Sequence, residues 1–295
     1  EIPRSAAPMG EAVLPVPPGL LQETSTPERK IELAPPRSPV VPMPGVERPG
    51  AVRPDRPARP VSIDLDSLAA QGYLTPGLAD REMAEEFRVI KLQLLRNMDD
   101  AAARGLRRNL ICVTSAVPAE GKTFFSMNLA MSLAMEVDYH ALLVDADVLR
   151  PSVLQRYGLP LDKGLLELMT QQDLDVSDVL LRTNVPKLSL LPAGAPNPKS
   201  PELLSSAYVD TLLDELAHRY ADRIVIFDAP PILVASGARH LASRVGQVVM
   251  VVGAGSTDAQ SVNKAFAAVE NCPLVSSVLN RCPTRTTSSY GYYEE

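Results

Sequence analysis

Apolar runs of strand length recur from residue 110 onward, and stretches with helical spacing separate them. The runs predict strands near 110–114, 141–145, 188–191, 223–228, 247–252 and 275–279. Most are apolar at consecutive positions, which marks strands covered on both faces. Between them, Val209, Leu212, Leu213 and Leu216 give the i, i+3, i+4, i+7 face of one helix. Val262, Ala265, Phe266 and Val269 predict the inward side of another, over Thr257 to Glu270. A third helix, over about 80–98, precedes the first strand with Phe87, Ile90, Leu94 and Leu95 inward. Such alternation predicts an α/β fold, a mainly parallel sheet with helices on both faces.

The pattern vanishes toward the N-terminus. Fifteen of the 28 prolines fall in residues 1–60, which lack apolar periodicity. We read residues 1–62 as a disordered proline-rich arm, 63–283 as one domain, and 284–295 as a flexible tyrosine-rich tail.

Candidate chemistry sits at the strand ends. After Leu110 to Val113 comes Ala116-x-x-x-x-Gly121-Lys122-Thr123, the spacing of a phosphate loop that opens a helix. Backbone N–H groups and a positive helix end suit an anion there. Lys122 would reach the β- and γ-phosphates, and the Thr123 hydroxyl would face Mg²⁺. Two further apolar runs end in acids, Asp145 and Asp147 in one and Asp228 in the other. In an open parallel sheet, strand carboxyl ends share one edge, so these acids should meet the loop. Mg²⁺ takes few protein ligands, and Thr123, Asp145 and Asp228 would suffice. Expected nucleotide contacts run over Ser115, Ala116, Val117, Pro118, Ala119, Glu120, Gly121, Lys122, Thr123 and Phe124, with Asn280 near adenine.

Other function classes lose ground. A net charge of −6 gives no reason to expect nucleic-acid binding. Cys112, Cys272 and Cys282 lack metal-ligand spacing, and His140, His218 and His240 form no local constellation. No apolar stretch approaches the ~18 residues of a spanning helix. These features fit a cytoplasmic chain.

Together the loop, Leu143-Val144-Asp145-Ala146-Asp147 and Ile226-Phe227-Asp228-Ala229-Pro230-Pro231 resemble the three Walker-type motifs of bacterial tyrosine kinases, a P-loop NTPase fold. Glu85, Arg88 and Lys91 are similar to that family's subunit-contact helix, and Pro198 to Ser206 to a helix entry. Tyr290, Tyr292 and Tyr293 resemble its autophosphorylated cluster. Asp145 to Ser152, Leu180 to Lys187 and the tyrosines are most similar to autokinases of exosortase and exopolysaccharide loci. The resemblance implies an ATP- and Mg²⁺-dependent tyrosine autokinase that forms a homo-oligomeric ring. It also implies a membrane polysaccharide co-polymerase as activator, with the kinase peripheral at the inner membrane.

On that reading Lys122, Asp145 and Asp147 are catalytic, Asp145 first and Asp147 second as base, while Asp228 holds Mg²⁺ through water. A tyrosine phenol titrates near ~10 and a free carboxylate near ~4, so proton transfer must come late, as the loose transition state forms. A flexible stretch of ten residues spans about 17 Å, enough to enter a neighbour's site. The chain departs from the family pattern at Leu149, which fills an arginine slot, at Lys91, also usually arginine, and at Ala119, usually glycine. Partition-type ATPases carry a lysine where Val117 stands. The competing reading is a P-loop switch or scaffold without kinase activity.

Overall fold

The computed structural model describes residues 58–77, 81–103, 106–171, 173–196 and 200–282. Its strands are β1 (Arg59–Pro60), β2 (Leu110–Ser115), β3 (His140–Asp145), β4 (Leu181–Arg182), β5 (Leu188–Leu191), β6 (Arg223–Asp228), β7 (Gln247–Gly253) and β8 (Val275–Asn280). Its helices are α1 (Leu65–Ala70), α2 (Arg81–Ala103), α3 (Lys122–Ala134), α4 (Val153–Arg156), α5 (Leu165–Thr170), α6 (Val176–Val179), α7 (Ser200–Leu203), α8 (Ala207–Arg219), α9 (Ser236–Ala242) and α10 (Ala259–Ala268).

The strands form one sheet in the order β1-β4-β5-β3-β6-β2-β7-β8. All pairings are parallel except β4 with β5. Each long run of the sequence becomes a strand. The two-residue strands β1 and β4 were not expected, because two residues carry no periodicity. β1 pairs with β4, so the sheet begins inside the stretch assigned to the arm.

Successive residues of the central strands feed opposite cores. Leu110 and Cys112 of β2, Leu142 and Val144 of β3, and Val225 and Phe227 of β6 pack with α5, α6, α8, α9 and α10. Ile111, Val113, Ala141, Leu143, Ile224 and Ile226 pack on the other face, beneath α3. A strand apolar at every position can satisfy both layers, and this explains the uninterrupted runs.

α3 is buried almost all round, since a helix trapped between layers has no solvent face to keep polar. α2 covers it, with Phe87 against Phe125 at 5.4 Å between ring centroids. The segment after α1 covers it too. Asn128 of α3 accepts the Leu74 N–H at 2.7 Å, and Tyr73 lies against Phe124 at 5.1 Å. The start of α3 is thereby clamped from above while its N-terminus faces the carboxyl edge of the sheet.

Candidate nucleotide and phosphoryl-transfer site

β2 delivers the chain to that edge, and the loop over 116–121 turns it back into α3. Gly121 stands at the helix N-cap with φ 91°, a left-handed conformation open to glycine, and no side chain caps the helix. The first-turn N–H groups have no partner within the helix. They and the positive helix end fit a phosphate group.

Glu120 holds the loop from behind. Only 2% exposed, its carboxylate accepts the Val117 N–H at 2.7 Å, the Gly253 N–H at 3.0 Å and the Thr257 hydroxyl. The Glu120 carbonyl accepts Asn280 Nδ2 at 2.9 Å. One buried glutamate thus ties the loop to β7, and Asn280 ties it to the end of β8. Thr114 donates to the Pro230 carbonyl at 2.7 Å, which joins β2 to the loop after β6. Ala119 has φ 68°, a conformation disfavoured by a Cβ.

The acids converge as the parallel register requires. Asp145 and Asp228 are Cα partners at the ends of adjacent strands, and Asp228 is also registered with Val113 of β2. Lys122 Nζ donates to Asp147 Oδ2 at 2.7 Å and stands 4.0 Å from Asp228. Thr123 donates to Asp228 Oδ2 at 2.7 Å and Ser126 to Asp228 Oδ1 at 3.1 Å. Asp145 Oδ2 accepts the backbone N–H groups of Ser152 and Val153, each at 3.0 Å.

Electrostatics follow from crowding three carboxylates out of water. Burial, then the charges of Asp228 and Asp147, push the Asp145 carboxyl up to about 7 against the pull of the two N–H donors. Burial likewise raises Asp228, although Lys122, Thr123 and Ser126 favour its ionised form. Burial pulls the Lys122 ammonium down, but Asp228, Asp147 and Asp145 outweigh it and hold it above the ordinary lysine value.

No group of three or more His, Cys, Asp or Glu side chains among the described residues forms a ready cation cage. The donors still fit Mg²⁺, which keeps several waters and shares substrate phosphates. Thr123, Asp228 and Asp145 would hold it, with Ser152 Oγ 3.4 Å from the Thr123 hydroxyl. A cleft of about 740 Å³ opens beside them. Pro118, Ala119, Gly121, Lys122, Thr123, Phe124, Asp147 and Asn280 all line it. Ser115, Ala116, Val117 and Glu120 do not. Ser115 bonds the Val117 carbonyl at 2.8 Å, Ala116 is in the core and Val117 packs against it, so these residues shape the loop rather than the cleft wall.

Known proteins are similar to this chain in sequence and fold. No family model matches the chain. The putative tyrosine-protein kinase CapB of Staphylococcus aureus is 31% identical over 213 residues, 72% of this chain and 90% of that protein. The tyrosine-protein kinase YwqD of Bacillus subtilis (strain 168) is 30% identical over 212 residues, 71% and 86% of the two chains. The chain belongs to the bacterial tyrosine-kinase family. The solved chimerical protein CapA2B2 is similar to the kinase with a TM-score of 0.61 and 27% identity, over 76% of this chain and 93% of that one. The BceF tyrosine kinase domain gives 0.58 and 27%, over 75% and 82%. The fold is that of P-loop kinases, and the enzyme class is protein-tyrosine kinase.

One expected contact of the kinase is corrected. Glu85 and Arg88 are exposed on α2 and pair with each other, at 2.6 Å and 2.7 Å. Lys91 does not share their face. It is 5% exposed, donates to the Ser132 carbonyl at 3.3 Å and pairs with Glu136. A lysine three residues after Arg88 still lies over α3, where C-terminal carbonyls attract its charge. Asn280 donates to the phosphate loop while lining the cleft. Tyr290, Tyr292 and Tyr293 lie outside the described residues, as do Pro198 and Lys199.

The sequence reading missed Ser126 and Ser152. Ser126 lies one helical turn beyond Lys122, so its i, i+4 spacing was a usable signal. Ser152 reaches Thr123 only because α4 folds back over the end of β3. Glu120 was noted as a nucleotide contact rather than as the loop's internal anchor, and nothing local distinguishes the two.

Proposed function

We propose that the kinase transfers the γ-phosphoryl group of ATP to Tyr290, Tyr292 and Tyr293 of its own kind, between subunits of a ring, and thereby regulates exopolysaccharide polymerisation or export. The observation that carries this reading is the meeting of Lys122, Thr123, Asp145, Asp147 and Asp228 on one sheet edge beside an uncapped helix N-terminus. Mg²⁺, when bound, supplies charge neutralisation between the phosphates. Lys122 neutralises charge on the transferring group. Asp145 as first choice of base, or Asp147, which lines the cleft, as second, accepts the phenolic proton late, and Asp228 orients Thr123. Glu85 and Arg88 are the surface for a neighbouring subunit. The family resemblance further supports a membrane polysaccharide co-polymerase as activator, a cytoplasmic position at the inner membrane, and an exosortase-type locus. No helix among the described residues is long and apolar enough to cross a membrane.

The test is intact mass after incubation with Mg·ATP, beside Lys122→Met and a triple Tyr→Phe variant of the tail. Added phosphates on the three tyrosines, absent from both variants, support the autokinase. Phosphate release from ATP with no phosphotyrosine would replace it by an ATPase switch. The half-buried Val117, where a switch ATPase carries its cross-subunit lysine, speaks against that alternative.

A further inference from the structure

The cleft has two ends, and they differ. At one end Asn280, donating to the Glu120 carbonyl, stands beside Arg281 at the close of β8. At the other, past Lys122, lie the ends of β3 and β6, which carry Asp145 and Asp228, and the loops that follow them, with Asp147 in the first. β3 and β6 adjoin each other on one side of β2, and β8 lies beyond β7 on the opposite side. The phosphoryl-transfer chemistry is therefore confined to the β3–β6 end.

That end continues into a wall of residues that carry none of the roles assigned above. Leu149 and Val234 line it and are 48% and 61% exposed, so both offer apolar surface to whatever enters the cleft. Arg150 and Arg156 line it too, both exposed. Arg156 donates to the Tyr73 hydroxyl at 2.9 Å, which holds its guanidinium at the cleft. Among the described residues no ion pair takes either guanidinium. The one carboxylate lining the cleft, Asp147, is already paired with Lys122. The wall offers apolar surface with two guanidiniums that no described acid pairs, placed past Lys122.

The sequence offers a segment of complementary chemistry. Tyr290, Tyr292 and Tyr293 are followed by Glu294 and Glu295, and no acid lies between Asn280 and Tyr293. We propose that Leu149, Val234, Arg150 and Arg156 form the acceptor groove of this kinase, selecting tyrosines followed by acidic residues. The phenol ring lies on the two aliphatic side chains while the guanidiniums take the glutamates. The inference rests on the tail-phosphorylation reading above and adds a substrate class to it. It ranks the acceptors, because Tyr292 and Tyr293 are nearer the glutamates than Tyr290.

The test uses the full chain with Mg·ATP and two peptides. One spans Ser288 to Glu295; the other carries Glu294→Lys and Glu295→Lys. The expected result is an acidic peptide labelled about five- to tenfold faster at low salt, the scale of one or two exposed ion pairs. The preference should shrink at high salt as the charges are screened. In Arg150→Glu/Arg156→Glu the preference should invert, with the lysine peptide becoming the faster substrate and KM for ATP little changed. Inversion is a gain that misfolding cannot produce. Arg281→Ala should raise KM for ATP and leave the peptide preference intact.

Equal rates for the two peptides in a chain that labels its own tail would overturn the groove and spare the autokinase. So would an arginine variant whose whole loss is a higher KM for ATP, which would make Arg150 and Arg156 nucleotide ligands. A chain that labels neither tail nor peptide, yet hydrolyses ATP, would overturn the kinase reading and the groove with it.

Discussion

The phosphate loop and the acid loop meet at one site but are stabilised in opposite ways. In the loop over 116–121, side chains fix the backbone: Glu120 and Asn280 supply the bonds, and the helix N–H groups remain available to an anion. In the loop over 145–153, the backbone fixes a side chain: the N–H groups of Ser152 and Val153 aim the Asp145 carboxylate. The contrast follows from which group must stay available. A phosphate needs free donors, and Mg²⁺ needs aimed acceptors.

Breaking each loop should give different losses. The largest effect is expected from Lys122→Met and Asp145→Ala, each lowering tyrosine labelling by about 10²-fold or more. Lys122→Met leaves the buried Asp147 and Asp228 without their cation and should also cost about 3 kcal/mol of stability, whereas Asp145→Ala should cost no more than about 1 kcal/mol. Asp145→Ala strands two N–H donors, but it also removes a buried charge that Asp228 and Asp147 repel. Urea unfolding beside initial labelling rates separates the two quantities.

Glu120→Ala should do the reverse of Asp145→Ala, within the phosphate loop. It leaves the donors of Val117, Gly253 and Thr257 without their acceptor, for a stability loss of about 3 kcal/mol. ATP affinity should fall as the loop loosens. A variant as stable as the parent would show that water replaces the carboxylate and that the loop is not held from behind.

Gly121→Ala is intermediate. A Cβ there would stand 2.0 Å from Asn280 Nδ2 at φ 91°, which together predict a loss of about 2 kcal/mol. Adding Asn280→Ala should return only the part due to contact, since the backbone strain remains. Full recovery in the double variant would mean that strain plays no part. The smallest change is Ala119→Gly, expected to stabilise by about 0.5–1 kcal/mol because φ 68° suits glycine. A fall in thermal midpoint would count against that assignment.

Legibility in the sequence varied with how local the cause was. The runs ending at Asp145 and Asp228 could be read because a strand buried on both faces is apolar at every position, and an acid ending such a run is conspicuous. Gly121, Lys122 and Thr123 were readable because phosphate binding imposes a fixed short spacing. β1 and β4 were not, since a two-residue strand exists only by virtue of its partner. Lys91 was expected at a subunit contact from its resemblance to the family's contact helix, but a helix covering another helix buries more than its apolar stripe, and a long amine can reach Glu136 from there. Ser152 and Arg156 became site residues only when α4 folded against the end of β3.

The sequence by itself determined the α/β alternation, the phosphate loop and the identity of the acids, because each is written in a few consecutive residues. The tertiary structure alone decided which side chains brace the loop, which cation turns inward and which arginines line the cleft. Those outcomes depend on residues up to 160 positions apart, as for Asn280 and Glu120, that meet only when strand order brings their ends to one edge.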